Sequence, residues 1–469
     1  MKDTDLAAGI WGLSWDEAFD DGRNVQGTAN LHDGHILLDI PFGCLVDEPR
    51  DELPDGYGVF SAEHVYGFLR TGEYALLEGA HEISRTVSTP GGSCQTLSAM
   101  RMLVSRDRFD ATATVERMEL SLTGLGEWVG RAPIRHSFDL NGKWHRVDFD
   151  FDESNSLPLL ENDDLMIVIY YSMRFSPVST KGFRADGEYV LQATLKNDLG
   201  IDDAIAIARQ LATFVSFCRG SYAGIERLKL CLVGTDNPIE CFGPFPEGDA
   251  LRAGVNDPFR PKEDELPLLA QAADSWLSFE PLMSNACSQY VSLLYRRWSM
   301  PIESRFVMAM QVLDALTKDE AVLESQPKEV FRDYRKHLRK CLRRIGEKDL
   351  MKWVANRLGE NRKGQTTLMR ELFKKYPTFS SWLIEDSEAF IEKQRDMRNL
   401  SAHPKGAMKI SDQEYWHMQA VVLLSMGIIA AKLGLGEQHV IDRLKDSQYR
   451  SFEIENVQKM YSTKNKPAS

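Results

Sequence analysis

Six of the chain's nineteen prolines lie between Asp236 and Pro267: Pro238, Pro244, Pro246, Pro258, Pro261 and Pro267, with Gly243, Gly248 and Gly254 among them. Proline has no N–H to donate and fixes its own φ, so a stretch this rich in it cannot be a helix interior or a central strand. Residues 236–266 are therefore read as a linker between two separately folded parts. The hydrophobic period differs on its two sides. Before it, Gly27 to Ile40 (GTANLHDGHILLDI) has the form of a hairpin turning at Asp33-Gly34. Thr112 to Leu122 alternates polar and apolar, Leu165 to Tyr171 and Glu188 to Leu195 are rich in β-formers, and Leu228 to Val233 is a further short strand. Ile201 to Cys218 is the exception, with Ala204, Ala208, Leu211, Val215 and Cys218 on one helical face. After it every segment reads as helix: Leu268 to Trp298, a helix restarted by Pro301, Lys328 to Ile345, Ser381 to Ala402 with Leu383, Phe390 and Met397 seven apart, and a last long helix opened by the capping box Ser411-Asp412-Gln413-Glu414 and closed near Gly434. The expected fold class is α+β: a β-rich region over 1–235, divisible near 155, then an all-α helical bundle over 267–460 and a tail over 461–469.

Charge follows the same division. Residues 301–469 carry 30 Lys and Arg against 23 Asp and Glu, whereas residues 1–300 carry 26 against 46. The acidic part repels nucleic acid and the basic part can hold a phosphate backbone. The excess is steepest from Lys328 to Lys375, with 16 basic and 6 acidic residues. Arg335, Lys336, Arg339 and Arg343 are its candidate RNA contacts, and Trp353 is a candidate for base stacking. A solvated helix paired with the acidic region is the competing reading. The longest apolar run, Ala420 to Ala431, falls short of the roughly 18 residues a spanning helix needs, so a core helix and no membrane partner are expected. Seven cysteines without CxxC spacing suit a reducing compartment, by default the cytoplasm. His32, His35, His64, His81 and His145 have no further ligands at zinc spacing, and there is no Walker A, GxGxxG or HExxH motif; no metal and no cofactor are expected.

The segment Arg395 to Pro404, RDMRNLSAHP, contains Arg398, Asn399 and His403 as R-N-x-x-x-H. On a helix Asn399 and His403 share a face. Arg binds the non-bridging oxygens of a phosphodiester in two-pronged fashion, and His moves protons near neutral pH. Three Arg-x4-His matches occur, at Arg131/His136, Arg332/His337 and Arg398/His403. Only the last joins an amide side chain, a long amphipathic helix and a proline stop.

An all-helical domain with this motif near its end, followed by a long apolar helix, resembles the HEPN superfamily. Ile302 to Leu316 (IESRFVMAMQVLDAL) resembles the helix preceding the motif in its ApeA-like branch, and the opening GIWGLSWDEAF…GTANLHDGHILLDIPFG resembles the β-rich N-terminal domain of ApeA proteins, which serve bacterial anti-phage defence by abortive infection. The resemblance implies a metal-independent endoribonuclease with Arg398, Asn399 and His403 as catalytic residues: Arg398 binding and neutralising the scissile phosphate, Asn399 orienting the phosphate or the histidine, and His403 acting as general base or acid. It further implies RNA as substrate, a homodimer or assembly of dimers, and a phage-derived trigger at the N-terminal region. The alternative is a non-catalytic HEPN-type module that binds RNA or protein without cutting.

Overall fold

The computed structural model describes residues 4–20, 22–32, 35–45, 60–88, 92–130, 134–138, 144–149, 156–175, 185–235, 237–246, 248, 257–295, 300–320, 326–345, 363–402 and 410–463. Two compact units divide the chain, Met1–Leu277 and Ser278–Ser469. The first is β-rich and contains a barrel; the second is helical.

In the first unit the strands are β1 Thr4–Gly12, β2 Val25–His32, β3 His35–Ile40, β4 Ser61–Leu69, β5 Tyr74–Ser88, β6 Gly92–Ala99, β7 Arg101–Ser105 and β8 Thr114–Leu122, with the short helices α1 Trp15–Phe19 and α2 Leu125–Val129. They continue as β9 Ile134–Phe138, β10 Trp144–Phe149, β11 Leu157–Glu161, β12 Leu165–Phe175 and β13 Ala185–Gly200, then helix α3 Ile201–Arg219, β14 Ile225–Leu232, β15 Ile239–Phe242 and helix α4 Leu266–Leu277. Each expected strand is present, most of them longer than its sequence signal. The β2–β3 pairing runs to His32 opposite His35; the turn residues Asp33 and Gly34 lie outside the described residues.

Six strands close on themselves in the order β5-β4-β1-β2-β3-β6-β5. Closure depends on β5. One edge pairs with β4, while the other pairs with β7 over Tyr74–Glu78 and with β6 from His81 onward. Gly79 sits at the change of partner with φ +62°, where a side chain would be strained. From β7 the sheet runs on through β15, β14, β8, β13, β12 and β11, all antiparallel, with α3 packed on β8, β13 and β14. β15 comes from within the proline-rich stretch 236–266, so part of that stretch is sheet.

Alternation fills the barrel: Leu31, Ile36, Leu38, Ile40, Val65, Leu77 and Leu97 join Trp11 in one core. Trp11 is fully buried, and its indole N–H donates to the Gly27 carbonyl at 3.2 Å. Its ring lies flat on the backbone of Gly67, where a Cβ would run into ring carbons.

The second unit comprises α5 Pro281–Tyr295, α6 Ile302–Glu320, α7 Lys328–Ile345, α8 Gln365–Lys375, α9 Pro377–Leu383, α10 Ser387–Ala402, α11 Asp412–Lys432, α12 Glu437–Asp446 and α13 Gln448–Met460. No described helix is long and apolar enough to cross a membrane. α11 is its axis. It is buried without interruption from His417 to Ala430, and α5, α6, α9, α10, α12 and α13 pack around it. A helix apolar on all sides needs neighbours on all sides. The Ser411–Glu414 capping box opens α11. Gly434, at φ +87°, ends it, with the Leu435 N–H reaching the Ala430 carbonyl.

Two expected helices are each divided. Leu268 to Trp298 becomes α4 and α5, because Pro281 starts a new helix; Trp298 lies outside the described residues. Ser381 to Ala402 becomes α9 and α10. Asp386 caps the second, its carboxylate accepting from the Ala389 N–H at 3.1 Å. Leu383, Phe390 and Met397 are all buried, but Leu383 belongs to the earlier helix.

Gly67→Ala is expected to destabilise the chain by about 2 kcal/mol, the usual cost of forcing an extra methyl into a packed core. In a Trp11→Leu background the same change should cost measurably less. Denaturant titrations of the four proteins in this double-mutant cycle check it; equal costs in both backgrounds would separate the glycine from the ring.

Candidate functional site

α10 carries Arg398 and Asn399 of the R-N-x-x-x-H motif near its C-terminal end. Arg398 Nη2 lies 3.2 Å from Oδ2 of Asp314, on α6. The Asp314 side chain is only 18% exposed, while that of Arg398 is 49% exposed, so a partly buried carboxylate holds a guanidinium that still faces solvent. The same carboxylate takes Lys318 Nζ at 3.4 Å, one turn along α6, and a hydrogen bond from the Gln365 side-chain amide at the start of α8. Three donors from three helices thus meet on one acceptor. Asn399 is on α10, but its side chain is not among those described, and His403 and Pro404 lie outside the described residues.

One turn before Arg398 on α10 is a buried polar relay. His417 Nε2 donates to Oε1 of Gln394 at 2.8 Å, so Nδ1 is the acceptor for the Tyr461 hydroxyl. The Phe390 ring lies 4.9 Å from the imidazole. Burial, aided by Lys393, pushes the His417 pKa down to about 3, and burial raises that of Tyr461. His417 is therefore fixed in its neutral form near pH 7 and cannot take up a proton there. Tyr461, which the sequence pattern places in the tail, is a core residue; its carbonyl accepts from Asp386 N–H at 2.9 Å, holding the α9–α10 corner.

The other two Arg-x4-His pairs lack such a setting. His337 is exposed on α7, against the Asp333 carbonyl at 3.3 Å. His136 is in β9, opposite Val147, and Arg131 lies outside the described residues.

α7 has the expected bounds. Arg332, Arg335, Lys336, Arg339, Lys340 and Arg344 are exposed, and Phe331, Leu338 and Leu342 form its more buried stripe. Trp353 lies outside the described residues, and nothing is described of the Arg343 side chain. A groove of about 820 Å³ runs along Lys328, Phe331, Arg332, Arg335, Lys336 and Arg339. Six pairs of cations stand four apart on this helix, from Lys328/Arg332 to Lys340/Arg344. Together they oppose it by about 2 kcal/mol at low salt.

Asp314 and Gln394 do not stand out as site residues in the sequence pattern. Asp314 has a signal: it is the one charged residue from Phe306 to Leu316, four residues before Lys318. Gln394 has none, since its role comes from His417 and Tyr461, far away in sequence.

Residues 7–242 match the family model described as ApeA N-terminal domain 1, a span that takes in the barrel and the sheet through β15. No curated protein and no solved structure matches the chain.

The His417 relay makes stability depend on pH. Its folded pKa, about 3, lies below the unfolded 6.5, so between them the unfolded chain binds the extra proton. Unfolding free energy should fall as pH drops from 6.5 toward 3, and His417→Gln should flatten that slope. Urea titrations at a series of pH values check this; an unchanged slope in the variant would remove His417 as its source.

Proposed function

From the premise that the chain belongs to the ApeA family, whose N-terminal domain 1 covers half of it and whose members serve anti-phage defence, we propose that its helical unit is a metal-independent endoribonuclease acting by abortive infection. The observation that carries this reading is Arg398: a guanidinium at the end of α10, oriented by the Asp314 carboxylate yet half-exposed to a ligand. An RNA phosphate is the kind of anion that such a fork binds through two oxygens. Bound there, it shares the guanidinium with Asp314, and its charge is neutralised as the neighbouring 2′-hydroxyl attacks phosphorus. The P–O5′ bond then breaks, leaving a 2′,3′-cyclic phosphate. His403 takes the 2′-OH proton or delivers one to the 5′-oxygen, and Asn399 orients the phosphate. One histidine per chain supplies one of these two roles. A two-fold dimer with two motifs facing one cleft supplies both, since a two-fold interface matches a patch to itself. His417 takes no part, because it stays neutral in the core. The non-catalytic alternative, binding without cutting, predicts the same Arg398 contact and no products.

His403→Ala and Arg398→Ala should each abolish RNA cleavage and protection against phage with the fold intact by circular dichroism, while His337→Ala keeps most activity. Cleavage should continue in EDTA and leave cyclic or 3′-phosphate ends, and a 2′-deoxy residue at the cut should block it. Strict magnesium dependence with 5′-phosphate ends would overturn the mechanism. Binding of RNA without any product would leave the binding module.

Sedimentation should give a dimer or an even-numbered assembly, and mixing inactive His403→Ala chains with inactive Arg398→Ala chains tests whether the motifs share a cleft. A fully active monomer would overturn the dimeric site.

A further inference from the structure

The chain leaves α6 a few residues beyond Asp314, runs through α7, and returns at Gln365, whose side chain donates to the same Asp314 carboxylate that holds Arg398. α7 thus lies, in chain order, between two residues of the Asp314 cluster. Its surface differs from that of the surrounding helices. Elsewhere in the unit, Lys363 pairs with Glu371, Arg370 with Glu388 and Arg450 with Glu453, each at 2.6 Å. On α7, no carboxylate among the described residues pairs with Arg332, Arg335, Lys336, Arg339, Lys340 or Arg344. At 1.5 Å per residue these positions, with Lys328, extend over about 24 Å, and Arg332, Arg335 and Arg339 share one face. Like charges four apart destabilise a helix, so this arrangement works against the element that displays it unless an anion lies along it.

We propose that this face of α7 is a track for the phosphate backbone of single-stranded RNA, carried on a helical arm that lies in chain order between Asp314 and Gln365. The track deepens the ribonuclease reading and rests on it for the identity of the polyanion. A row of point charges repeated over consecutive helical turns fits a linear polyanion, in which the charge also repeats along a line. The exposed basic positions outnumber the apolar stripe Phe331–Leu338–Leu342, which is turned partly inward, so burial in a lipid surface is the weaker fit.

The test uses the full chain and a fluorescent single-stranded RNA with 2′-O-methyl groups throughout, which cannot be cleaved by 2′-OH attack. Anisotropy measures binding from 50 to 300 mM salt. Replacing Arg332, Arg335 and Arg339 together by Gln should weaken binding about 100-fold at 0.1 M salt and lower the slope of log K against log salt by about 2, as expected when three phosphates of a single strand are no longer neutralised. Replacing the same three by Lys should leave the slope unchanged, which separates charge from folding. Wild-type affinity in the Gln variant would overturn the track. So would RNA affinity that rises with salt, the sign of an arm occupied by the chain's own acidic region, and so would binding to phosphatidylserine vesicles that the Gln variant loses while its RNA binding stays intact. The two readings fail separately. An RNA bound with this signature but never cut, when unmodified, removes the nuclease and keeps the track. An RNA cut by the Gln variant with the wild-type KM removes the track and keeps the nuclease.

Discussion

A strand has two edges, and each edge of backbone donors and acceptors must be paired when it is buried. β5 meets this requirement with three partners on two edges. Its fifteen residues are long enough for β6 and β7 to share one edge end to end, with Gly79 at the change of partner. The rest of the first unit depends on this division. Pairing with β6 closes the six-stranded barrel, and pairing with β7 lets the same sheet continue outward to β11. A shorter β5 could serve one neighbour on that edge, and the other strand would be left with one edge unpaired.

The helical unit rests on a different constraint. α11 presents apolar side chains in every direction, so it is stable only when surrounded. The bundle built on it brings Lys318, Gln365 and Arg398 to the Asp314 carboxylate, and Gln394 and Tyr461 to the His417 imidazole. Both polar clusters include a residue of α10, one turn apart. The inner one is buried, and its histidine is held neutral; the outer one is half-open to solvent. Depth within one bundle thus separates Gln394, which holds a buried neutral histidine, from the half-exposed Arg398 one turn further along α10.

Charge is used in two ways in this unit. Where a cation is paired with a carboxylate at the surface, the pair adds little to stability but leaves little field for a ligand. Arg332, Arg335, Lys336, Arg339, Lys340 and Arg344 of α7 lack such partners among the described residues and stand beside one another instead. Their cost to the helix is small against the apolar burial around α11, and the field they project is what a polyanion would find.

The division of the chain into a β-rich and a helical part, most strands, the bounds of α7 and both ends of α11 are legible in the sequence, because each rests on local chemistry: alternation, 3.6-residue periodicity, a capping box and a C-terminal glycine. The two helix breaks are less legible. Pro281 marks one, but at the other Asp386 competes with the periodicity of Leu383, Phe390 and Met397, and the Tyr461 carbonyl, seventy-five residues away, holds the corner. The motif residues Arg398, Asn399 and His403 can be named from their spacing. What Arg398 touches cannot, since Asp314 lies 84 residues earlier. Closure of the barrel likewise comes only with the tertiary structure, because the choice between β6 and β7 as partners of β5 is made by long-range backbone pairing, which leaves no period in the sequence.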